Sequence, residues 1–207
     1  MYEFYTNLPQ GYEEDKARLW PVLITLHGAG ERHVSLEDLS GHHYYLPVYD
    51  LCSERFPTIV IVPHCPPREY WEEDEVDALR EHVLREMRGD PARVYLDGFS
   101  MGGYGTWLTA GKYPSRYAAI APVCGGGNPQ DAHRLAHVPT WAFHGAKDPV
   151  VPVDETLRMI KAIEAAGGHP KLTIYPEGDH GVWDETFANP ELYAWFSQQQ
   201  LPHAKAA

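Results

Sequence analysis

The chain has 207 residues and a mass of 23.4 kDa, a size that predicts a single domain, residues 1–207, around one core. Its formal charge of −12 and its 17 scattered lysines and arginines argue against nucleic acid or anionic membranes as partners. Three cysteines without metal-ligand spacing fit a reducing compartment. Because no signal-peptide pattern or membrane-spanning apolar run is present, we expect a cytoplasmic protein with no membrane partner.

Apolar runs rich in β-branched and aromatic residues recur along the chain and predict strands. Several are nearly continuous rather than alternating, which is typical of strands covered on both faces. They lie at residues 2–9, 21–27, 57–63, 93–99, 117–123, 139–145 and 171–177.

Helical patterns alternate with these strands. Residues 72–90 carry an apolar stripe that ends near Gly89, and residues 153–168 carry a second stripe before a glycine cap. A last helix should begin at Asn189 and bury Leu192, Trp195 and Phe196. The alternation predicts a three-layer α/β fold, with a mostly parallel sheet and helices on both faces. Reactive residues should then gather at the carboxyl ends of the strands.

The stretch LDGFSMGGYG, residues 96–105, places Ser100 between Gly98 and Gly102, after a predicted strand and before a predicted helix. This Gly-x-Ser-x-Gly pattern is typical of a nucleophile elbow, in which the serine hydroxyl projects above the sheet. The glycines leave room for neighbouring backbone to pass. We therefore predict that Ser100 is a nucleophile.

A serine nucleophile needs a base and an acid that orients the base. His180 follows the last predicted strand, in a loop that can return over the sheet, and is the candidate base. Asp148 follows the strand at 139–145, and the order Ser100, Asp148, His180 is that expected of this elbow. Asp154 and Asp179 are the reserve acids.

Other histidines are less suited to act as the base. His82 lies on a solvated helix face, and His133, His137 and His203 lie in polar segments.

The turn LHGAGE follows the strand at 21–27 and suits an oxyanion hole. Its small residues can aim a backbone N–H at a developing oxyanion. We assign the two donors to the backbone amides of Ala29 and Met101, the latter directly after the nucleophile.

The motifs LHGAGER, DGFSMGGYGTW, AFHGAKDPVVP and ANPELYAWF together resemble the α/β-hydrolase superfamily. More narrowly, they are similar to the small carboxylesterases of the phospholipase/carboxylesterase or predicted-peptidase group, relatives of feruloyl and polyhydroxybutyrate-depolymerase-type esterases. The resemblance covers almost the whole chain. It implies a serine hydrolase fold without a large cap domain, needing no cofactor.

Two features depart from that pattern. Residues 33–50, HVSLEDLSGHHYYLPVYD, replace a glycine-rich segment, so the substrate-facing rim should differ. Only about twenty residues precede the strand leading to HGAG, so about seven strands are expected. The exposed sheet edge that results would be available for homodimer formation.

Adjacent histidines such as His42 and His43 point apart on a strand, so we expect no metal site there.

These features predict a serine hydrolase that cleaves a small-molecule carboxylic ester through an acyl-enzyme intermediate. A short-chain or aryl acyl ester is favoured because no extended apolar lid is visible. Trp71, Tyr104 and Trp183 are candidate substrate contacts, and for Tyr104, on the elbow helix, core packing is at least as good an explanation. A peptidase or thioesterase could use the same residues. A non-catalytic binding protein on a hydrolase scaffold is the third alternative, disfavoured by the complete set of catalytic residues.

Overall fold

The computed structural model describes residues 1–202. A seven-stranded sheet with the order β1-β3-β2-β4-β5-β6-β7 forms its centre. Only β1 is antiparallel to its neighbour; the remaining pairs are parallel. The strands are β1 (Glu3–Asn7), β2 (Trp20–Leu26), β3 (Ile59–His64), β4 (Gly89–Phe99), β5 (Ala119–Val123), β6 (Trp141–Gly145) and β7 (Lys171–Tyr175).

Eight α-helices lie in the described residues and cover both faces of the sheet. They are α1 (Leu36–Ser40), α2 (Leu46–Asp50), α3 (Glu73–Glu86), α4 (Met101–Lys112), α5 (Ala132–Leu135), α6 (Asp154–Ala165), α7 (Trp183–Phe187) and α8 (Pro190–Ser197). Helices α3 to α6 contribute to one apolar cluster and α1, α2, α7 and α8 to the other, so the predicted three-layer α/β fold is confirmed. No cap covers the sheet within the described part of the chain.

The strand order brings the oxyanion turn and the elbow together. The chain runs from β2 to β3 on one side and then places β4 on the other side of β2. The carboxyl ends of β2 and β4 therefore lie beside each other at a topological switch point, where ligands bind in open α/β sheets.

All seven expected strands are present, but β4 begins at Gly89 rather than at residue 93. Trp20 pairs with Gly89 across the sheet, and the register shifts before Val22 pairs with Val94. Helix α3 accordingly ends at Glu86, because Met87 is already extended with φ −121° and ψ 161°. The expected helix end near Gly89 was therefore wrong by three residues.

The last helix begins as expected, with the Asn189 side chain accepting a hydrogen bond from the Glu191 amide. Leu192 and Phe196 are buried, but Trp195 is only half-buried and Tyr193 takes the third buried position. The prediction for Trp195 was wrong because the buried stripe lies at positions 192, 193 and 196. Strand β1 forms one edge of the sheet, and the homodimer stays a prediction.

Candidate active site

Ser100 lies in a sharp turn between β4 and α4, with φ 55° and ψ −117°. This left-handed conformation is strained for a non-glycine residue. A Cβ on Gly102 would lie 1.9 Å from the Leu26 carbonyl oxygen, and one on Gly98 would lie 2.6 Å from the Gly102 carbonyl oxygen. The two glycines therefore let the elbow pack against the end of β2.

The structure brings Ser100, His180 and Asp148 into hydrogen-bond contact. His180 Nε2 lies 2.8 Å from Ser100 Oγ, and His180 Nδ1 lies 2.6 Å from Asp148 Oδ2. Asp148 follows β6, and His180 lies in the loop between β7 and α7. The side chain of Asp148 is fully buried and that of His180 is 17% exposed.

The second oxygen of Asp148 is held by backbone. Oδ1 accepts hydrogen bonds from the Val150 and Val151 amides at 2.8 and 2.9 Å. Burial alone would raise the pKa of Asp148, but the hydrogen bonds from His180 and the two amides outweigh it and lower the pKa. The carboxylate is therefore ionised at neutral pH and can pair with a protonated His180.

The reserve acids are occupied elsewhere. Asp179 Oδ1 accepts the Gly181 amide at 2.8 Å, and Asp154 is exposed at the first residue of α6. His180 Nδ1 is directed at Asp148 and at neither reserve. His203 lies outside the described residues.

A buried histidine that the sequence reasoning missed orders the predicted oxyanion turn. His27 Nδ1 lies 2.6 Å from the Gly28 carbonyl oxygen, and its Nε2 accepts the Cys65 amide at 2.9 Å. Burial lowers the pKa of His27 to about 4, so the ring is neutral at pH 7, with the proton on Nδ1. Ala29 follows this residue pair, and Met101 is the first residue of α4.

A second missed histidine, His144, lies behind the candidate acid. Its Nε2 is 2.9 Å from the Val151 carbonyl oxygen and 3.3 Å from Asp148 Oδ2. Its Nδ1 is 2.8 Å from Thr156 Oγ1. Burial lowers the pKa of His144. The pattern HGAKD contains it, but its role depends on contacts that span β6 and α6.

Potential metal ligands gather at one place in residues 1–202: atoms of Cys124, His144 and Asp148 lie within 4.8 Å of one another. In this group, Asp148 already contacts His144, and it also contacts the candidate base His180. The pair His42 and His43 does not form such a group in the described residues; His43 Nε2 lies 3.1 Å from Asp184 Oδ1.

A groove of about 690 Å³ opens beside the elbow. Of the three predicted substrate contacts, Trp71 and Tyr104 lie in this groove, although Trp71 is only 4% exposed. Trp183 lies elsewhere, with its ring perpendicular to that of His180 at a centroid distance of 5.3 Å. Met101, predicted as an oxyanion donor, also lines the groove. Residues that the sequence reasoning did not single out complete the lining: Tyr70, Glu72, Glu73, Gly105, Leu108, Val150 and Val151.

This fold is that of the α/β-hydrolase superfamily, as the motifs predicted. The model of the Dienelactone hydrolase family matches residues 68–195, more than half of the chain. The protein belongs to the dienelactone hydrolase family.

Relatives agree with this assignment. The chain is 26% identical over 170 residues to the probable feruloyl esterase C of Aspergillus terreus, covering 76% of this chain and 58% of that protein. It is 32% identical over 115 residues to a Methylorubrum extorquens protein named as a carboxymethylenebutenolidase, covering 51% of this chain and 40% of that protein. A crystal structure of a thermostable esterase superposes with a TM-score of 0.84 at 31% identity, covering 95% of this chain and 59% of that chain.

The chain spans less than two thirds of the length of these proteins. Within residues 1–202, no helix combines the length and apolar character needed to cross a membrane. The cytoplasmic location stays a prediction.

Proposed function

We propose that the protein is an esterase-type serine hydrolase that forms an acyl-enzyme intermediate on Ser100. The observation that carries this proposal is the continuous contact from the Ser100 hydroxyl through His180 to the Asp148 carboxylate, at 2.8 and 2.6 Å. Such a chain supplies the nucleophile, the base and the orienting acid for acyl transfer.

In the first step Ser100 Oγ attacks the ester carbonyl carbon while His180 Nε2 takes the hydroxyl proton. The tetrahedral intermediate collapses, the proton passes from His180 to the departing alcohol, and the acyl group remains on Ser100. Asp148 accepts the Nδ1 proton of His180 in a hydrogen bond, which selects the required tautomer and stabilises the imidazolium. In the second step His180 activates water, which releases the acid.

The Ala29 and Met101 amides are the proposed oxyanion donors. Met101 is the first residue of a twelve-residue helix, whose unpaired N–H groups and dipole favour negative charge. Removing one such donor typically costs about 3 kcal/mol of transition-state stabilisation.

The groove supports a short-chain or aryl acyl group on a small-molecule ester. Its lining combines the Tyr104 and Tyr70 rings with the apolar side chains of Leu108 and Val150. Tyr70 and Val150 are 67% and 64% exposed, so two large apolar surfaces face solvent beside the proposed nucleophile. The Aspergillus terreus relative is named as a feruloyl esterase, which agrees with an aryl acyl group.

The test measures hydrolysis of p-nitrophenyl acetate and methyl ferulate, together with covalent labelling by a fluorophosphonate. Ser100→Ala should lose labelling and at least about 10³-fold in kcat/KM, because the nucleophile is gone. Ser115→Ala, at an exposed serine, is the matched control and should behave as the unaltered protein.

Labelling that persists in Ser100→Ala would contradict the proposal. Comparison with an aminoacyl-anilide and an acyl-thioester separates an esterase from a peptidase or thioesterase. Faster turnover of either one than of the esters would replace the proposed substrate class.

A further inference from the structure

We infer that Arg32 is a positioning residue for ester hydrolysis, which holds the Ala29 amide in place and ties the oxyanion turn to the wall of the groove. This inference rests on the proposed function. Arg32 lies in the 3₁₀ turn Gly30–His33 that follows the oxyanion turn. Within residues 1–202, Arg32 makes no hydrogen bond to Ser100 or His180.

Side chains hold the peptide planes on both sides of Ala29. His27 Nδ1 binds the Gly28 carbonyl oxygen at 2.6 Å, which fixes the plane that contains the Ala29 N–H. In a trans peptide the N–H points opposite to the C=O, so fixing the Gly28 oxygen aims the Ala29 N–H. Arg32 Nε donates to the Ala29 carbonyl oxygen at 3.0 Å, which fixes the next plane.

Packing holds this turn on one side only, because the Ala29 side chain packs against the apolar cluster of helices α3 to α6 whereas Gly30 is exposed. A Cβ placed on Gly30 would meet no atom within 4 Å, so this side of the turn faces open space. Glycine is also the residue with the most backbone freedom. The Arg32 side-chain hydrogen bond therefore adds to the backbone hydrogen bonds of the 3₁₀ turn in restricting rotation around Ala29 and Gly30.

The other end of the guanidinium contacts the segment that leads into the groove wall. Arg32 Nη1 donates to the Glu69 carbonyl oxygen at 2.8 Å, and its guanidinium carbon lies 5.5 Å from the centre of the Tyr70 ring. Glu69 closes a turn by donating its amide to the Pro66 carbonyl oxygen at 3.2 Å, with Arg68 at φ 68°. The segment that presents Tyr70 to the groove is therefore a shaped turn, and Arg32 is attached to its end.

Two further hydrogen bonds join the same segments. Trp71 Nε1 donates to the His27 carbonyl oxygen at 3.0 Å, and the Cys65 amide donates to His27 Nε2 at 2.9 Å. Residues 27–32 and 65–71 thus form one hydrogen-bonded unit, in which the part carrying the oxyanion donor and the part lining the groove are linked. Among these links, only those of Arg32 come from a half-buried side chain; His27, Cys65 and Trp71 are buried.

Because the Ala29 amide is needed when charge develops on the substrate oxygen, loss of Arg32 should act on the transition state more than on substrate binding. Arg32→Gln should lower kcat for p-nitrophenyl acetate by about 10- to 100-fold, the range expected for a displaced donor. KM should stay within about threefold. Arg85→Gln is the matched control, since it removes the same charge from an exposed arginine on α3 that does not line the groove, and it should leave kcat unchanged.

A trifluoromethyl ketone inhibitor gives a readout that a purely structural role would not move. Ser100 Oγ adds to its carbonyl carbon, the hydroxyl proton passes to His180, and the carbonyl oxygen becomes the anion at the Ala29 and Met101 amides. Its Ki should rise in Arg32→Gln by the factor by which kcat/KM falls. The melting temperature of Arg32→Gln, measured in parallel, should stay close to that of the unaltered protein, so that the lost activity is not caused by unfolding.

Arg32→Lys is the second variant and replaces Arg32→Gln in the test if the latter does not fold. It keeps the charge but lacks the planar guanidinium that hydrogen-bonds two carbonyl oxygens. Its kcat should remain at least about threefold below that of the unaltered enzyme. Full activity in Arg32→Lys, or a change confined to KM in Arg32→Gln, would overturn the inference. An unaltered protein that neither hydrolyses esters nor binds the ketone would refute the proposed function and this inference together, whereas an active enzyme insensitive to both substitutions would refute only the inference.

Discussion

At the scale of single residues, the glycines around Ser100 are required by distance as well as by backbone freedom. A Cβ on Gly102 would lie only 1.9 Å from the Leu26 carbonyl oxygen. This separation is far below van der Waals contact, and the obstructing atom belongs to the backbone of β2, an interior strand paired on both sides, which cannot move alone. The close approach of α4 to β2 therefore depends on the absence of a side chain.

Gly102→Ala should accordingly destabilise the fold by at least about 2 kcal/mol and abolish esterase activity, because the elbow must shift away from β2. Urea unfolding followed by circular dichroism measures the free energy. Gly41→Ala is the control: Gly41 has φ −89° and its nearest contact for a Cβ is 3.6 Å, so we expect a change below about 0.5 kcal/mol. Equal stability of the two variants would contradict the steric argument.

The positions of Ser100, Asp148 and His180 could be predicted because each residue follows a strand whose apolar run is readable. The carboxyl ends of parallel strands meet at one edge, so chain order alone suggests that they converge. The parts played by His27 and Arg32 could not be predicted in this way. They depend on hydrogen bonds to the backbone of residues 65–71, and no periodicity in the sequence indicates which loops will touch.

At the scale of elements, strong periodicity was informative and short segments were not. The stripe in residues 153–168 predicts α6, and Gly167, at φ 87°, ends it as expected. The Gly168 amide donates to the Ile163 carbonyl oxygen at 2.9 Å, which completes a Schellman cap. Helices α1 and α2 have five residues each, too few to show a stripe, and the sequence interpretation of residues 33–50 did not include them.

Helix α8 gives an element-scale prediction, because a single side chain caps it. Asn189 Oδ1 accepts the Glu191 amide at 2.9 Å, and the helix buries Leu192 and Phe196 against the sheet. Asn189→Ala should lower the free energy of unfolding by about 1 kcal/mol, whereas Asn189→Ser, which retains a capping oxygen, should lose less. Chemical denaturation of both variants measures the difference, and identical losses would show that the cap is not the cause.

At the scale of the whole molecule, one acidic group is placed where its charge opposes folding. Asp97 lies on β4, opposite Thr25 of β2, and is fully buried. Neither of its carboxyl oxygens has a hydrogen-bond partner among the described residues, and the same holds for the Thr25 and Tyr45 hydroxyls. Burial raises the pKa of Asp97 to about 7.

The sign of the resulting pH dependence follows from proton binding. In the unfolded chain an aspartate loses its proton near pH 4, whereas folded Asp97 keeps its proton until about pH 7. Between these values the folded state binds more protons, so the contribution of Asp97 to stability is complete at low pH and is lost as the pH rises towards 7. Above that range the carboxylate is ionised in both states and the penalty is constant.

Asp97→Asn removes this titration while keeping the shape of the side chain. Relative to the variant, the unaltered protein should therefore be about 3 kcal/mol less stable at pH 8 than at pH 5. Urea unfolding at pH 5, 6, 7 and 8 measures the difference, and Asp50→Asn, at an exposed aspartate, controls for the change in net charge. A difference between the unaltered protein and Asp97→Asn that stays constant over this range would show that Asp97 is ionised in the folded state throughout. The negative charge would then need a hydrogen-bond donor or a cation close to β4, because an unpaired carboxylate at full burial is too costly to persist.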